Sequence, residues 1–153
     1  MYQNPWIYND KVFDSEDIQD AVGFIYEITN TVNGKKYIGK KILMAAKRKQ
    51  VKGKVKKFRG ESDWQKYYGS SQDVKDDVLT LGKEKFIRKI LKLCYSKSEM
   101  SYWEMREIFA RDALIRDDYY NSWVSCRINR RNLKGIFVND NSSQDLGSDD
   151  SAN

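Results

Sequence analysis

The stretch that decides the fold is Gly23-Phe24-Ile25-Tyr26-Glu27-Ile28-Thr29-Asn30-Thr31-Val32-Asn33-Gly34-Lys35-Lys36-Tyr37-Ile38-Gly39. Two runs of β-branched and aromatic residues flank Asn33-Gly34, a dipeptide that tolerates the positive φ of a type I′ turn, so residues 22–30 and 35–42 read as a β-hairpin. With Asn33 and Gly34 as the two loop residues, Val32 opposes Lys35, Asn30 opposes Tyr37, Ile28 opposes Gly39 and Tyr26 opposes Lys41. Tyr26 and Tyr37 then share one face, roughly 14 Å apart along the strand at ~3.4 Å per residue. To serve one substrate their rings must lean toward each other.

Working outward, Leu43 to Lys49 is compatible with one or two helical turns, and Gly53 and Gly60 mark the lysine-rich continuation as a loop. Ser71 is placed to cap a helix over about Gln72 to Leu81, with Gly82 as its stop. Lys85 to Cys94 reads as a strand; the spacing of Phe86, Ile90 and Leu91 also fits a helix, but the hairpin needs a third strand. Ser98 or Ser101 caps the longest helix, Tyr102 to about Arg116, and Ser101 with Glu104 matches a capping box. Before the hairpin, Trp6, Ile7, Tyr8, Val12 and Phe13 suggest an N-terminal arm or extra strand over residues 1–21. Residues 138–153 hold Asp140, Asp145, Asp149 and Asp150 without a base and read as a disordered acidic tail, leaving 22–137 as one α/β domain.

A chain of 153 residues has room for one modest core, not for a two-domain enzyme. No apolar run approaches a membrane span, and the N-terminus lacks an apolar signal core; a soluble, cytoplasmic protein is expected. Cys94 and Cys126 stand alone, as buried thiols of a reducing compartment would. Without a single histidine, neither a zinc site nor a Ser-His-Asp arrangement is expected. The net charge of +6 is unevenly spread: Lys35 to Arg59 holds twelve of the 28 bases and no acid. That is the footprint of a polyanion partner, and it begins on the strand that carries Tyr37.

Tyr26 preceded by Phe24-Ile25, with Tyr37-Ile38-Gly39, resembles the signature of the GIY-YIG endonuclease superfamily; the second half matches letter for letter, and Gly23 lies one place earlier than in the family name. The resemblance covers about residues 22–125. It implies a central three-stranded antiparallel sheet flanked by helices and cleavage of double-stranded DNA by one Mg²⁺ or Mn²⁺ ion, with no small-molecule cofactor. Homing-type and phage enzymes are the nearest in kind, which would place the protein in a host cytoplasm. By the same resemblance Tyr26 helps deprotonate the attacking water, and Tyr37 with Lys40 orients the phosphate. A helix glutamate holds the metal: Glu104, at the edge of an apolar stripe of Met105, Ile108, Phe109 and Ile115, is preferred to Glu107, which points farther out. The arginine that family members carry on a helix after the second tyrosine strand corresponds to Arg48, with Lys47 and Arg59 as alternatives; a guanidinium can grip two phosphate oxygens. Tyr67 or Tyr68, the latter preferred, takes the place of a histidine found in many relatives. Asn121 matches a polar residue that follows the long helix. Lys41, Lys47, Lys49, Lys52, Lys54, Lys56, Lys57 and Arg59, with Asn121, Arg127, Arg130 and Arg131, are the expected DNA contacts. Phosphate contacts position without specifying, so limited sequence preference is expected.

Overall fold

The structure, a computed structural model, describes residues 1–136, so the acidic segment 138–153 and the domain boundary at 137 lie outside it. In chain order the elements are β1 (Ile7–Tyr8), β2 (Lys11–Val12), β3 (Gly23–Asn30), β4 (Lys36–Ile42), β5 (Met44–Val51), β6 (Lys54–Glu61), α1 (Gln72–Leu81), β7 (Phe86–Cys94) and α2 (Lys97–Ala110), with short 3₁₀ turns between them. The fold is mixed α/β. Its sheet has five strands rather than three, in the order β2-β1-β7-β3-β4. β3 is antiparallel to both β7 and β4, whereas β1 runs parallel to β7, so the N-terminal arm is built into the sheet. Among the described residues no helix is long and apolar enough to cross a membrane.

β3 is buried along both faces. Phe24, Tyr26 and Ile28 meet Trp6, Val74, Val78, Phe86 and Ile90 on the α1 side, while Ile25 and, from β4, Ile38 meet Met100, Trp103, Met105 and Ile108 on the α2 side. This alternation is what the hairpin sequence demands of a central strand with a helix over each face. Ser71 caps α1 and Gly82 ends it with φ +96, as read from the sequence.

The hairpin register differs from the expected one by two residues. Tyr26 opposes Gly39 and Ile28 opposes Tyr37, because the connection is a wider loop over residues 31–34 in which Asn30 N–H donates to Lys35 O. Two side chains fix that loop: Asn30 Oδ1 accepts from Val32 N and Asn33 Oδ1 from Lys35 N, each at 2.9 Å. Of the Asn33-Gly34 pair only Gly34 has positive φ, so no type I′ turn forms there. A shift of two preserves the faces, so the tyrosines still share one.

A type I′-compatible turn occurs instead at Lys52-Gly53, with φ +50 and +77, and it joins β5 to β6. The expected helical turns at Leu43 to Lys49 and the expected lysine loop are therefore a two-stranded ribbon, paired only with itself and exposed over most of its length. α2 is also displaced from the expected 102–116. It starts at its cap Ser96, whose Oγ accepts from Glu99 N, and Tyr95 N donates to Glu99 in return. Ser96 and Glu99 have the same three-residue spacing as Ser101 and Glu104, and the earlier pair wins. After Ala110 the backbone turns left-handed at Asp112 (φ +52), so Ile115 lies beyond the helix, exposed, and Phe109 is exposed as well. The apolar face of α2 keeps Met105 and Ile108 of the expected stripe and adds Met100 and Trp103 in place of Phe109 and Ile115.

Candidate active site

β4 is the edge of the sheet, and its outward backbone groups are satisfied in sequence by three different partners. Lys36 N donates to Asp118 O and Lys36 O accepts from Tyr120 N. Two residues on, the Asn121 amide stands in for a strand, accepting from Ile38 N at 3.0 Å and donating to Ile38 O at 2.8 Å. Two residues further, the Lys40 backbone N–H lies near enough to the Glu104 carboxylate of α2 to lower its pKa. An exposed edge carries unpaired donors, and here one of them lies beside a carboxylate. Because the edge is where the two faces of the sheet meet, Tyr37 from the α1 face and Lys40 from the α2 face open onto one cleft.

That cleft has a volume of about 570 Å³ and is lined by Tyr37, Lys40, Tyr67, Ser70, Asp73, Glu104, Asn121 and Trp123, among others. Tyr37 Oη is 2.8 Å from Ser70 Oγ, and its ring centroid is 6.1 Å from that of Tyr26. The two-residue register shift thus brings together two rings that the expected register left four ladder steps apart. Gly39 makes room: a Cβ there would collide with the Tyr26 hydroxyl and ring. Tyr26 is fully buried, and its hydroxyl makes no well-formed hydrogen bond, although the Tyr67 side chain is near enough to interact with it. Burial, reinforced by Tyr67, Tyr37 and Glu104, holds the Tyr26 phenol well above its ordinary pKa. Burial also raises Tyr37, against the opposing bond to Ser70.

Glu104 lies 3.9 Å from Lys40 Nζ, which also donates to Ser101 Oγ at 2.9 Å. Burial pushes the Glu104 carboxyl above the usual range, and the Lys40 ammonium and backbone N–H pull it back. Glu104 is thus not engaged in a capping box with Ser101. Glu107 is placed differently: its carboxylate pairs with Arg111 Nε at 2.9 Å, and Arg111 also bridges to Glu27 on β3. This Glu27–Arg111–Glu107 group ties the end of α2 to the sheet and does not line the cleft.

Other sequence-derived candidates stand elsewhere. Arg48 is on β5, opposite Lys57, exposed and outside the cleft, so no helix carries an arginine to the site. Lys47, Lys49, Lys52, Lys54, Lys56, Lys57 and Arg59 are on the same ribbon. Tyr68 faces inward: its hydroxyl accepts from Asn4 Nδ2 at 3.0 Å and its ring covers the Arg88 guanidinium. Its neighbour Tyr67 is the one that reaches the cleft, with its ring edge-on to Tyr26 and under Lys41 Nζ, 4.1 Å from the centroid. Lys41 is paired with Asp63. Arg127, Arg130 and Arg131 follow the cleft-lining segment 120–125, the last two in a 3₁₀ turn.

Sequence reasoning missed Arg88, Ser70 and Trp123. Arg88 is buried and, among the described residues, has no carboxylate partner; it donates to the backbone oxygens of Asn4, Gln3 and Tyr67, between the rings of Trp6 and Tyr68. Its bond to Tyr67 O, at 2.8 Å, fixes the loop that presents Tyr67 to the cleft. The available signal was its slot in the alternation Phe86-x-Arg88-x-Ile90, where an apolar residue is the default.

Among the described residues no group of three or more metal-ligating side chains converges. The cleft nonetheless fits a magnesium-type ion, which is commonly held by one or two carboxylates together with waters and substrate phosphate. Glu104 supplies one such carboxylate, with Asp73 in the opposite lining.

Comparison with known proteins gives a family and a relative. Residues 6–124 match the family described as "Putative endonuclease segE, GIY-YIG domain". Over 99 residues the chain is 31% identical to "Putative endonuclease segE" of Enterobacteria phage T4, a match that covers 64% of this chain and 39% of that protein. The chain therefore matches well under half the length of that relative. No solved structure matches it.

Proposed function

The chain belongs to the GIY-YIG endonuclease family, and from that premise we propose that it hydrolyses phosphodiester bonds of double-stranded DNA with one Mg²⁺ or Mn²⁺ ion, as a phage or homing-type nuclease. The observation that carries the reading is the convergence on one cleft of Tyr37, Lys40 and Glu104, with the unpartnered hydroxyl of Tyr26 buried behind them.

In this reading Glu104 holds the metal, with Asp73 as a second candidate. The ion's chemistry is to neutralise charge on the phosphoryl oxygens and to acidify water. Lys40, the ammonium that lines the cleft, contributes a further positive charge beside the scissile phosphate in place of the family arginine. Tyr37, already bonded to Ser70, orients a phosphate oxygen. Tyr26 keeps its proton at neutral pH, so its oxygen serves to accept a hydrogen bond from the attacking water and hold it in line. The phosphate contacts come from Lys41 and the β5–β6 ribbon, with Arg127, Arg130 and Arg131 of the segment that follows the cleft-lining residues as further candidates.

The test is cleavage of supercoiled plasmid with Mg²⁺ or Mn²⁺. Nicked or linear product that chelator abolishes is expected, and Glu104→Gln should remove activity while duplex binding persists. A wild-type protein that cuts no form of DNA or RNA under any divalent ion would refute the reading in favour of a non-catalytic nucleic-acid-binding protein on the same scaffold.

A further inference from the structure

Resting on the nuclease reading above, we propose that the β5–β6 ribbon enters the major groove of B-form DNA, with Arg48, Gln50, Lys57 and Arg59 toward base edges. The ribbon would then set which sequence is presented to the cleft.

The ribbon's shape comes first. Among the described residues it is a free two-stranded unit, paired with no other strand, with eight residues in each strand and a tight turn at its tip. The major groove, about 12 Å wide, admits a two-stranded β-ribbon. The deep, narrow major groove of A-form RNA does not admit one. Eight residues at ~3.3 Å per residue give a ribbon of about 26 Å, which runs past seven or eight base pairs.

Charge is the second argument. Eight cations lie between Met44 and Gly60 with no acid among them, and among the described residues none forms an ion pair. Arg48 stands directly opposite Lys57 and Lys49 directly opposite Lys56, so the ribbon opposes like charges across its two strands. Lysines on a free ribbon do guard against edge-to-edge aggregation. That need would be met by either sign of charge, or by alternating signs, and would not call for cations to face each other. A polyanion relieves the repulsion.

Third, the two faces of the ribbon differ in chemistry. Pairing puts Arg48, Gln50, Lys57 and Arg59 on one face and Lys47, Lys49, Lys54 and Lys56 on the other. The first face holds both arginines and the glutamine, the side chains able to make paired hydrogen bonds with guanine and adenine edges. On the second the only charged side chains are lysines, suited to phosphates as point charges. The Lys47 stem and the Phe58 ring pack over Gly60 at the base of this second face. From Lys40 in the cleft to Arg48 is eight residues, so Arg48 lies within about 26 Å, or eight base pairs, of Lys40. Sequence preference is then expected at a distance from the scissile bond rather than at it.

The test separates charge from recognition. The ends of wild-type cleavage products from a sequence-diverse DNA pool are sequenced, and duplex binding is titrated against salt with the Glu104→Gln protein. Arg48→Lys with Arg59→Lys keeps the charge but removes the paired hydrogen bonds; it should broaden the preference within about eight base pairs of the cut and leave the salt slope unchanged. Replacing Lys47, Lys49, Lys54 and Lys56 by Gln should flatten the slope of log K against log salt by about 3–4, at ~0.9 per phosphate released, and keep the preference. Double-stranded RNA of the same sequence should bind at least tenfold more weakly than DNA. The groove proposal is overturned if wild-type ends show no preference, if the arginine variant leaves it unchanged, if the lysine variant keeps the full slope, or if RNA binds equally well. Cutting that persists through any of these leaves the nuclease reading intact. Absence of cutting defeats that reading, and the salt slopes and the DNA-to-RNA ratio then decide the ribbon proposal.

Discussion

Replacing Tyr26 by phenylalanine removes a single oxygen, and the structure gives that oxygen an unusual position. It is fully buried and lacks a well-formed hydrogen bond. Mutational data put the cost of burying an unbonded hydroxyl at about 1–3 kcal/mol. Deleting it while keeping the ring, with its packing against Trp6, Phe24 and Tyr37, should therefore stabilise the protein by about 1 kcal/mol or more. For a chain of this length that is a rise in Tm of roughly 2–4 °C per kcal/mol. Tyr37→Phe is the matched control. It removes a 2.8 Å bond to Ser70 from a half-buried ring and should cost about 0.5–1.5 kcal/mol. Both variants should cut plasmid far more slowly than wild type, so activity and stability move apart at position 26 and together at position 37. Urea unfolding followed by tryptophan fluorescence, beside the plasmid assay, measures both. Destabilisation of about 1 kcal/mol or more by Tyr26→Phe would refute the argument and mean that the hydroxyl is bonded in the free protein. Tyr67 is the partner to test: a double-mutant cycle with Tyr67→Phe should give a coupling below about 0.5 kcal/mol if Tyr26 is unbonded.

Glu104→Gln should abolish metal-dependent cutting and raise Tm. The folded-state pKa of Glu104 is raised by burial, so its ionisation costs stability; that cost is absent below the unfolded pKa and grows as pH rises through the folded one. The acid limb of the wild-type cleavage rate should accordingly fall at a higher pH than an ordinary glutamate would give. Glu107→Gln should keep activity and lose stability, because it breaks the link from Arg111 to the end of α2. Gly39→Ala should cost about 1–3 kcal/mol by overpacking against Tyr26, with activity falling alongside. At the alkaline end, burial lifts the Cys94 thiol from 9.0 to about 12 and Tyr26 well above 10.0, so the unfolded chain loses these protons first. Stability should decline from about pH 9 upward, and Cys94→Ala should soften the decline in urea midpoints.

The elements that were legible in the sequence are those whose ends carry their own chemistry. Ser71 and Gly82 bracket α1, and β7 follows from its alternating apolar residues. The ribbon was illegible because its residues lack that alternation, and a lysine-rich segment of low hydrophobicity looks like a loop. What folds it is the left-handed pair Lys52-Gly53, whereas the stronger hairpin signal, Asn33-Gly34, was overridden by the Asx bonds of Asn30 and Asn33. At α2 two overlapping Ser-x-x-Glu spacings competed, and nothing local ranks Ser96 above Ser101. The choice between Tyr67 and Tyr68 turned on strand and loop direction, which adjacent identical residues cannot reveal. Glu104 was legible as the inward carboxylate. The absence of an arginine from the cleft was not, because it depends on the ribbon leading Arg48 away along the β4–β5 direction.

The cleft and the ribbon share one physical property. Each holds polar groups in an arrangement that is unfavourable in the free protein: an unbonded hydroxyl at Tyr26, a carboxylate at Glu104 with a raised pKa, and cations facing each other at Arg48–Lys57 and Lys49–Lys56. A chain selected for stability alone would fill the first with phenylalanine, the second with glutamine and the third with alternating charges. In the proposed function all three costs would be offset by the same kind of ligand, a polyanionic backbone accompanied by cations. The stabilising framework is correspondingly placed elsewhere, in Arg88 bound by backbone oxygens and aromatic faces and in Arg111 joining Glu27 to Glu107, neither of which lines the cleft. Substitutions at the framework should therefore lower stability and activity together, whereas substitutions at the cleft that relieve an unpaired group should raise one while lowering the other.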